Sequence, residues 1–258
     1  PSQHDYAAAT RYVARQLRPR DQVVAEPSWT DPLLREQIGD RIGIARAGSV
    51  DFEEWDRVHV VSIHGHRPEA FADLAPSAVR YFGAVKVARY DLGPSPVLYD
   101  FTAHWREATA VLVESGSERA CDMAMMPPHG GGLGQGDYWP SERMACDPAR
   151  PWLFFAPTIN EDRDLTLRRC LWQHPAGPEP FRVTFPHVPL GERLVVYADI
   201  YYENERNEMH GLVPFELRVL VDGRDVGTMR HHDGQGRKRM VIETQPPGSD
   251  LAREGRVT

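Results

Sequence analysis

Cysteine is scarce in this 258-residue sequence, which contains three and no C-x-x-C pair. No cluster of cysteine and histidine has the spacing of zinc ligands either, which argues against a zinc finger or a thioredoxin-like redox motif. Long apolar runs are also lacking. Together with a mean hydropathy of -0.49, this excludes a membrane span within the chain.

Positive charge is in deficit, because 30 lysines and arginines stand against 37 aspartates and glutamates, for a net charge of -7. A chain with this balance has no general electrostatic attraction for phosphate backbones. We therefore predict no nucleic-acid partner.

Two glycine-rich catalytic motifs are excluded by their spacing. The stretch H-G-G-G-L-G-Q-G at 129–136 lacks the G-x-G-x-x-G pattern and the following helix of a dinucleotide site. Its H-G-G-G segment would need a G-x-S-x-G elbow to serve as an oxyanion loop, and the sequence contains none. We interpret the stretch as a long flexible loop.

Two of the cysteines, Cys121 and Cys146, flank this loop. A disulfide between them would close it and stabilise the fold by about 3 kcal/mol in the chain-entropy model. The alternative is three reduced and buried cysteines, including Cys170. The sequence leaves both open.

Helix and strand patterns alternate over the first 94 residues. They predict a helix over 5–17, strands over 21–25, 58–63 and 84–90, and helical segments over 70–74 and 77–82. Such alternation is typical of a small Rossmann-like α/β domain, which we place at residues 1–94.

Helix patterns disappear after Gly93-Pro94-Ser95-Pro96. The later runs, such as F-R-V-T-F and P-F-E-L-R-V-L-V, are rich in apolar and β-branched residues and are separated by Pro, Gly and Asp. This pattern predicts an antiparallel β-sandwich of the jelly-roll or lectin-like kind over residues 95–258. The predicted fold class is therefore α+β with two domains, and we expect the second domain to be truncated at its C-terminus, because the chain ends inside a strand pattern.

The N-terminal part also resembles a known family. R-P-R-D-Q-V-V-A-E-P-S-W at 18–29 and D-R-V-H-V-V-S at 56–62 are similar to segments of bacterial membrane glycosyltransferases of the dolichyl-phosphate-mannose protein mannosyltransferase family. These segments belong to the family's extracytoplasmic α/β domain. Arg20 stands where the family has glycine, and His59 stands where it has an aromatic residue.

The resemblance implies a setting and a function. The family's catalytic acidic residues lie on loops beside membrane helices, and those segments are missing from this chain, so no catalytic residue carries over. The resemblance implies a noncatalytic portion on the periplasmic or cell-surface side of a bacterial membrane, which contacts the membrane only through the missing segments. Its implied partner is a glycan or a lipid-linked sugar.

Aromatic side chains beside amides and carboxylates are a common means of binding sugars, because rings stack on C–H groups and polar groups hydrogen-bond the hydroxyls. The second half contains such clusters. The predicted contact residues are Trp139, Trp172, His174, Tyr201 and Tyr202. The alternative is that these residues belong to the core or to strand edges.

His64 and His66 follow the strand that ends at Ile63, a position where open α/β sheets bind ligands. They are the candidates for a divalent metal site, although no third ligand has a recognisable spacing; no other cofactor is predicted. They also support an alternative function, a free-standing hydrolase with a site between the two domains that uses a carboxylate such as Asp162. A third alternative is a structural or protein-interaction module with an exposed apolar patch.

Overall fold

The protein is built mostly from β-strands. The computed structural model describes residues 1–38, 52–130, 138–163, 167–175, 177–201, 214–232, 234–246 and 253–258. Strands make up 48% of the structure and helices 14%. The chain forms two compact units: the first comprises Pro1–Val97, Gly130–Asp137 and Asp164–Arg169, and the second comprises Leu98–His129, Tyr138–Arg163 and Cys170–Thr258.

The first unit combines helices with a small sheet. Its elements are α1 (Gln3–Ala14), β1 (Asp21–Glu26), α2 (Asp31–Ile38), β2 (Arg57–Ile63), β3 (Ala78–Phe82) and β4 (Val85–Asp91). α1 begins at a capping box, in which the side chains of Ser2 and Asp5 each accept a backbone N–H from the other residue. None of the helices in the described ranges is long and apolar enough to cross a membrane.

The strands of the first unit form one mixed sheet in the order β1-β2-β4-β3. β1 and β2 are parallel, whereas β4 is antiparallel to both of its neighbours. The strands predicted over 21–25, 58–63 and 84–90 are confirmed.

The predicted α+β fold class with a Rossmann-like α/β lobe is wrong, because the protein is mostly β. Such a lobe needs successive parallel strands joined by crossover helices, but in the described part of the sheet only the β1–β2 pair is parallel. Residues 77–82, predicted to be helical, form β3, and the segment 70–74 contributes only part of the single helical turn Glu69–Phe71. Because β3 is mostly exposed, its side chains show no buried-strand pattern in the sequence.

A tight hairpin joins β3 to β4 through Gly83 and Ala84. Gly83 has a φ of 55°, the left-handed conformation that two-residue hairpin turns require. A Cβ at this position would overlap the Asp5 carboxylate. The hairpin therefore depends on glycine for both its backbone conformation and its contact with α1.

The later strands follow one another along the chain with few interruptions. They are β5 (Thr109–Glu114), β6 (Ser117–Ala120), β7 (Asp122–Met125), β8 (His129–Gly130), β9 (Tyr138–Trp139), β10 (Glu142–Ala145), β11 (Phe154–Glu161), β12 (Leu167–Gln173), β13 (Phe181–Leu190), β14 (Arg193–Ala198), β15 (Phe215–Val221), β16 (Arg224–His231), β17 (Lys238–Glu243) and β18 (Arg253–Val257). Within the described ranges, one sheet has the order β7-β10-β11-β9-β8 with β12 beside β11, a second has the order β16-β15-β18-β13-β5-β6, and β14 pairs with β17.

Cys121 marks the point where the chain passes from one sheet to the other. β6, just before it, pairs with β5, and β7, just after it, pairs with β10. Cys121 forms a disulfide with Cys146. The cross-link therefore fixes the corner at which the two sheets meet, and it closes the loop that the two cysteines flank in sequence.

One hydrophobic core joins the sheets of the second unit. It includes Phe154 and Phe155 from β11, Phe185 from β13 and Leu194 from β14. Adjacent Phe154 and Phe155 point to opposite sides of their strand, and both are fully buried. Both sides of β11 are therefore covered. The prediction that the second half is mostly β-sheet is confirmed.

Candidate functional site

One side of the sheet around β11 gathers large aromatic side chains. β10 pairs with β11 so that Ala145 lies opposite Phe154, and this register places Arg143 on the same side of the sheet as Phe154. The short strand β9 brings Trp139 to that side as well, because Tyr138 lies opposite Ile159. We call this group of side chains the aromatic face; Phe154, Arg143 and Trp172 are its buried members, and Trp139 and Tyr201 are its half-buried members.

Trp172 is the centre of the aromatic face. Its ring centroid lies 5.3 Å from that of Trp139, 5.7 Å from that of Phe154 and 6.1 Å from that of Tyr201. His174 lies at 6.1 Å. The structure thus brings together four of the five residues predicted to contact a sugar. The fifth, Tyr202, lies outside the described residues.

The members of this cluster differ in exposure. Trp172 is only 9% exposed and belongs to the core, and its indole N–H donates to the backbone oxygen of Trp152 (2.8 Å). Trp139, His174 and Tyr201 are half-buried. Trp172 is therefore placed to hold the neighbouring rings in position, while the half-buried rings are the ones that present a surface.

Sequence reasoning missed two residues beside this cluster. Trp152, 43% exposed, lies in the turn before β11, and Arg143 is buried within β10. No signal in the sequence indicated the burial of Arg143, since it follows a glutamate and arginine is almost never fully buried unless it is paired. The indole N–H of Trp139 is also buried and has no acceptor among the described residues.

Polar groups continue this side of β11 towards its end. Asn160 Nδ2 donates to Thr158 Oγ1 (3.2 Å), and Thr158 Oγ1 lies 3.4 Å from Cys170 Sγ. Burial raises the pKa of the Cys170 thiol, against the effect of its hydrogen bonds from Thr158 and Asn160. Cys170 is consequently a thiol at neutral pH and lacks the thiolate character of a nucleophile.

His64 and His66 lie at the other predicted site, in the first unit. The β1–β2 ladder ends with Glu26 opposite Ser62, and a tight turn with positive φ at His64 and Gly65 follows β2. Burial raises the pKa of Glu26, and the positive form of nearby His66 opposes this shift. Across the described ranges, no three histidine, cysteine or acidic side chains are grouped so that they could hold a metal ion.

Asp162, the carboxylate suggested for a hydrolase, lies in the second unit. It is buried, although it follows β11 in a connecting segment. Within the first unit, the charge of His66 acts on the carboxyl group of Glu26. It was not singled out because it is separated from the histidines by about forty residues of sequence, which the parallel pairing of β1 and β2 brings together.

No protein-family model, curated protein or solved structure matches this chain. The function is therefore inferred from the chemistry of its own residues.

Proposed function

We propose that this chain is a noncatalytic carbohydrate-recognition portion of a bacterial membrane glycosyltransferase-like protein, and that it binds a glycan or a lipid-linked sugar on its aromatic face. In this proposal the second unit is a β-sandwich. The observation that carries the proposal is the convergence of half-buried Trp139, His174 and Tyr201 on the buried ring of Trp172.

The chemistry of the aromatic face suits a sugar. A flat ring offers apolar contact to the C–H side of a pyranose, while polar groups at its edge bind the hydroxyls. The buried Trp139 N–H, which has no acceptor among the described residues, is a donor for such a hydroxyl. Leaving a buried donor unsatisfied costs about 1–3 kcal/mol, so a ligand oxygen at this position would recover that free energy.

The disulfide between Cys121 and Cys146 supports the proposed setting. Disulfides persist in oxidising compartments and are rare in the cytosol. This agrees with an extracytoplasmic location on the periplasmic or cell-surface side of the membrane.

A glycan array followed by thermal unfolding tests the proposal. A ligand that binds the native state at 100 times its Kd stabilises it by about 2.7 kcal/mol, so a bound sugar should raise Tm. We expect Trp139→Ala to abolish this rise. Trp29→Ala, which removes an exposed tryptophan of the first unit, is the matched control and should retain it. An undiminished rise in the Trp139 variant would contradict the proposal.

A second candidate function rests on the position of Glu26 at the end of β1, opposite Ser62 and close in the ladder to the turn that holds His64 and His66. A carboxyl group with a raised pKa is a candidate general acid; Glu26 ends the ladder of two parallel strands, and the charge of His66 acts on it. It would serve a hydrolase. Turnover of chromogenic ester or glycoside substrates that is lost in both Glu26→Gln and His66→Ala, but kept in His64→Ala, would establish this function in place of the first.

A further inference from the structure

Arg143 is a buried cation that has no carboxylate partner among the described residues. The residue is 3% exposed, and no acidic side chain in the described ranges lies within ion-pair distance of it. Its Nη2 donates to the backbone oxygen of Pro127 (2.7 Å). Its Nε is buried and has no acceptor among the described residues.

Arg57 shows how this chain otherwise accommodates a buried arginine. Arg57 is similarly buried, but its Nε and Nη2 both donate to the carboxylate of Asp21, and that interaction raises its pKa. Burial lowers the pKa of Arg143, and no negative charge among the described residues opposes the shift. Burying a charge without a countercharge is unfavourable, so an anionic ligand group at Arg143 would stabilise the protein.

The guanidinium of Arg143 lies within the aromatic face. Its central carbon is 4.9 Å from the ring centroid of Phe154, and Phe154 in turn lies 5.4 Å from Trp139 and 5.7 Å from Trp172. Arg143 Nε and Trp139 Nε1 are thus two buried N–H donors, both lacking acceptors in the described part of the chain, on side chains that pack against the same ring.

We propose that the sugar bound on the aromatic face is acidic, and that Arg143 binds its anionic oxygens while Trp139 donates a further hydrogen bond. The inference rests on the proposed function and specifies its ligand. A planar guanidinium can pair with two oxygens of a carboxylate or phosphate. The anionic group is therefore either the carboxylate of a uronic acid or the phosphate of a lipid-linked sugar.

Calorimetry on the full chain with two matched pairs of probes tests this inference. The first pair is methyl galacturonide and its neutral methyl ester, and the second is galactose 1-phosphate and galactose. We expect at least one acidic probe to bind ten-fold or more tightly than its neutral counterpart. The pair that shows the difference identifies the anionic group as carboxylate or phosphate.

Variants assign the difference to Arg143. Arg143→Met should reduce the affinity for the acidic probe to that for the neutral one. The control is Arg106→Met, because Arg106 also lies over a ring, that of Trp105, but is exposed and paired with Glu142. The control should keep the preference for the acid. Arg143→Lys, which retains the charge without the planar fork, should retain only part of it.

Salt provides a measurement that does not depend on the folding of a variant. Because salt screens a buried charge pair only weakly, added sodium chloride should reduce the affinity of the unaltered protein for the acidic probe slightly and leave its affinity for the neutral probe unchanged. Equal affinity for both members of each pair would overturn the inference that the sugar is acidic. The proposal that the aromatic face binds a neutral sugar would remain. An array and calorimetry without any sugar binding would overturn the proposed function together with this inference.

Discussion

Cys121 and Cys146 lie opposite each other one position beyond the paired residues of β7 and β10, where Asp122 faces Ala145, and a disulfide joins them. The bond therefore continues the strand register at the corner between two sheets. It also closes a segment with a sequence separation of 25 residues.

Removal of this bond should destabilise the second unit. For a loop of this length the chain-entropy model gives about 3–4 kcal/mol. We expect Cys121→Ser with Cys146→Ser to lower the free energy of unfolding by that amount in urea titrations. Cys170→Ser, at the cysteine that forms no disulfide, is the control and should show a smaller loss. Equal denaturation midpoints for the double variant and the unaltered protein would contradict this role.

Asp21, Arg57 and His59 form a buried network at the start of β1 and β2. Asp21 accepts from Arg57 Nε (2.8 Å), and His59 Nε2 lies 3.2 Å from the Asp21 carboxylate. Asp21→Asn would leave Arg57 buried without its countercharge. We expect a loss of about 3–5 kcal/mol in the unfolding free energy. Asp56→Asn, at a partly exposed ion pair with Arg20, should cost less than about 1 kcal/mol.

The same network should make the first unit sensitive to acid. Burial lowers the pKa of His59 from 6.5, against the opposing effect of Asp21. Burial by itself would raise the pKa of Asp21, but hydrogen bonds from Arg57, the Arg18 backbone and His59 lower it from 3.8 overall. With both folded-state values depressed, the unfolded chain takes up protons first.

The contribution of these two groups to the unfolding free energy is therefore complete only above the ordinary histidine pKa of about 6.5, where both groups lose their protons in the folded and the unfolded chain. It should fall with pH as His59 is titrated, and fall further below the ordinary pKa of Asp21. Unfolding free energies measured from pH 8 to pH 3 check this. His59→Gln should flatten the slope just below pH 6.5 more than His64→Gln, a change at an exposed histidine. Equal slopes in both variants would contradict the assignment.

Glu26 should change the unfolding free energy with pH in the direction opposite to His59 and Asp21. Its pKa is raised in the folded state, so the ionised carboxylate destabilises the fold at neutral pH relative to a neutral side chain. Glu26→Gln should stabilise the protein at pH 7–8 by less than about 1 kcal/mol, because the side chain is only half-buried. The gain should disappear as the pH falls through the folded-state pKa towards 4.5. A gain that persists at pH 4 would require another cause.

Alanine variants of Trp172 and Trp139 should differ in their effects, with the first mainly lowering stability and the second mainly removing sugar binding. Trp172 is a core residue, and truncating a buried aromatic residue to alanine costs about 3–5 kcal/mol. Truncation of the half-buried Trp139 should lower the unfolding free energy by less. It should also remove sugar binding. Denaturant unfolding of Trp172→Ala and Trp139→Ala, with sugar titration of each, compares the two. A larger stability loss for Trp139 than for Trp172 would reverse the assignment.

Local patterns were sufficient to predict individual elements. The apolar runs of β1 and β2 predicted buried strands, and alternating residues predicted a mostly β-sheet second half. The same reasoning failed for β3, because an exposed edge strand lacks the apolar pattern that identifies a buried one. Local patterns also did not predict the direction in which β4 pairs with β2, because strand pairing is a contact between segments distant in sequence.

The sequence by itself determined which residues have aromatic, acidic or thiol chemistry and which short segments favour strands, because these depend on side-chain type and local periodicity. Only the tertiary structure decided that Trp139 and Trp172 meet, that Glu26 and the end of β2 lie side by side, and that Arg143 is buried without a carboxylate in the described part of the chain. These relationships depend on strand order and register. Both are set by packing across the whole unit, and no local pattern contains them.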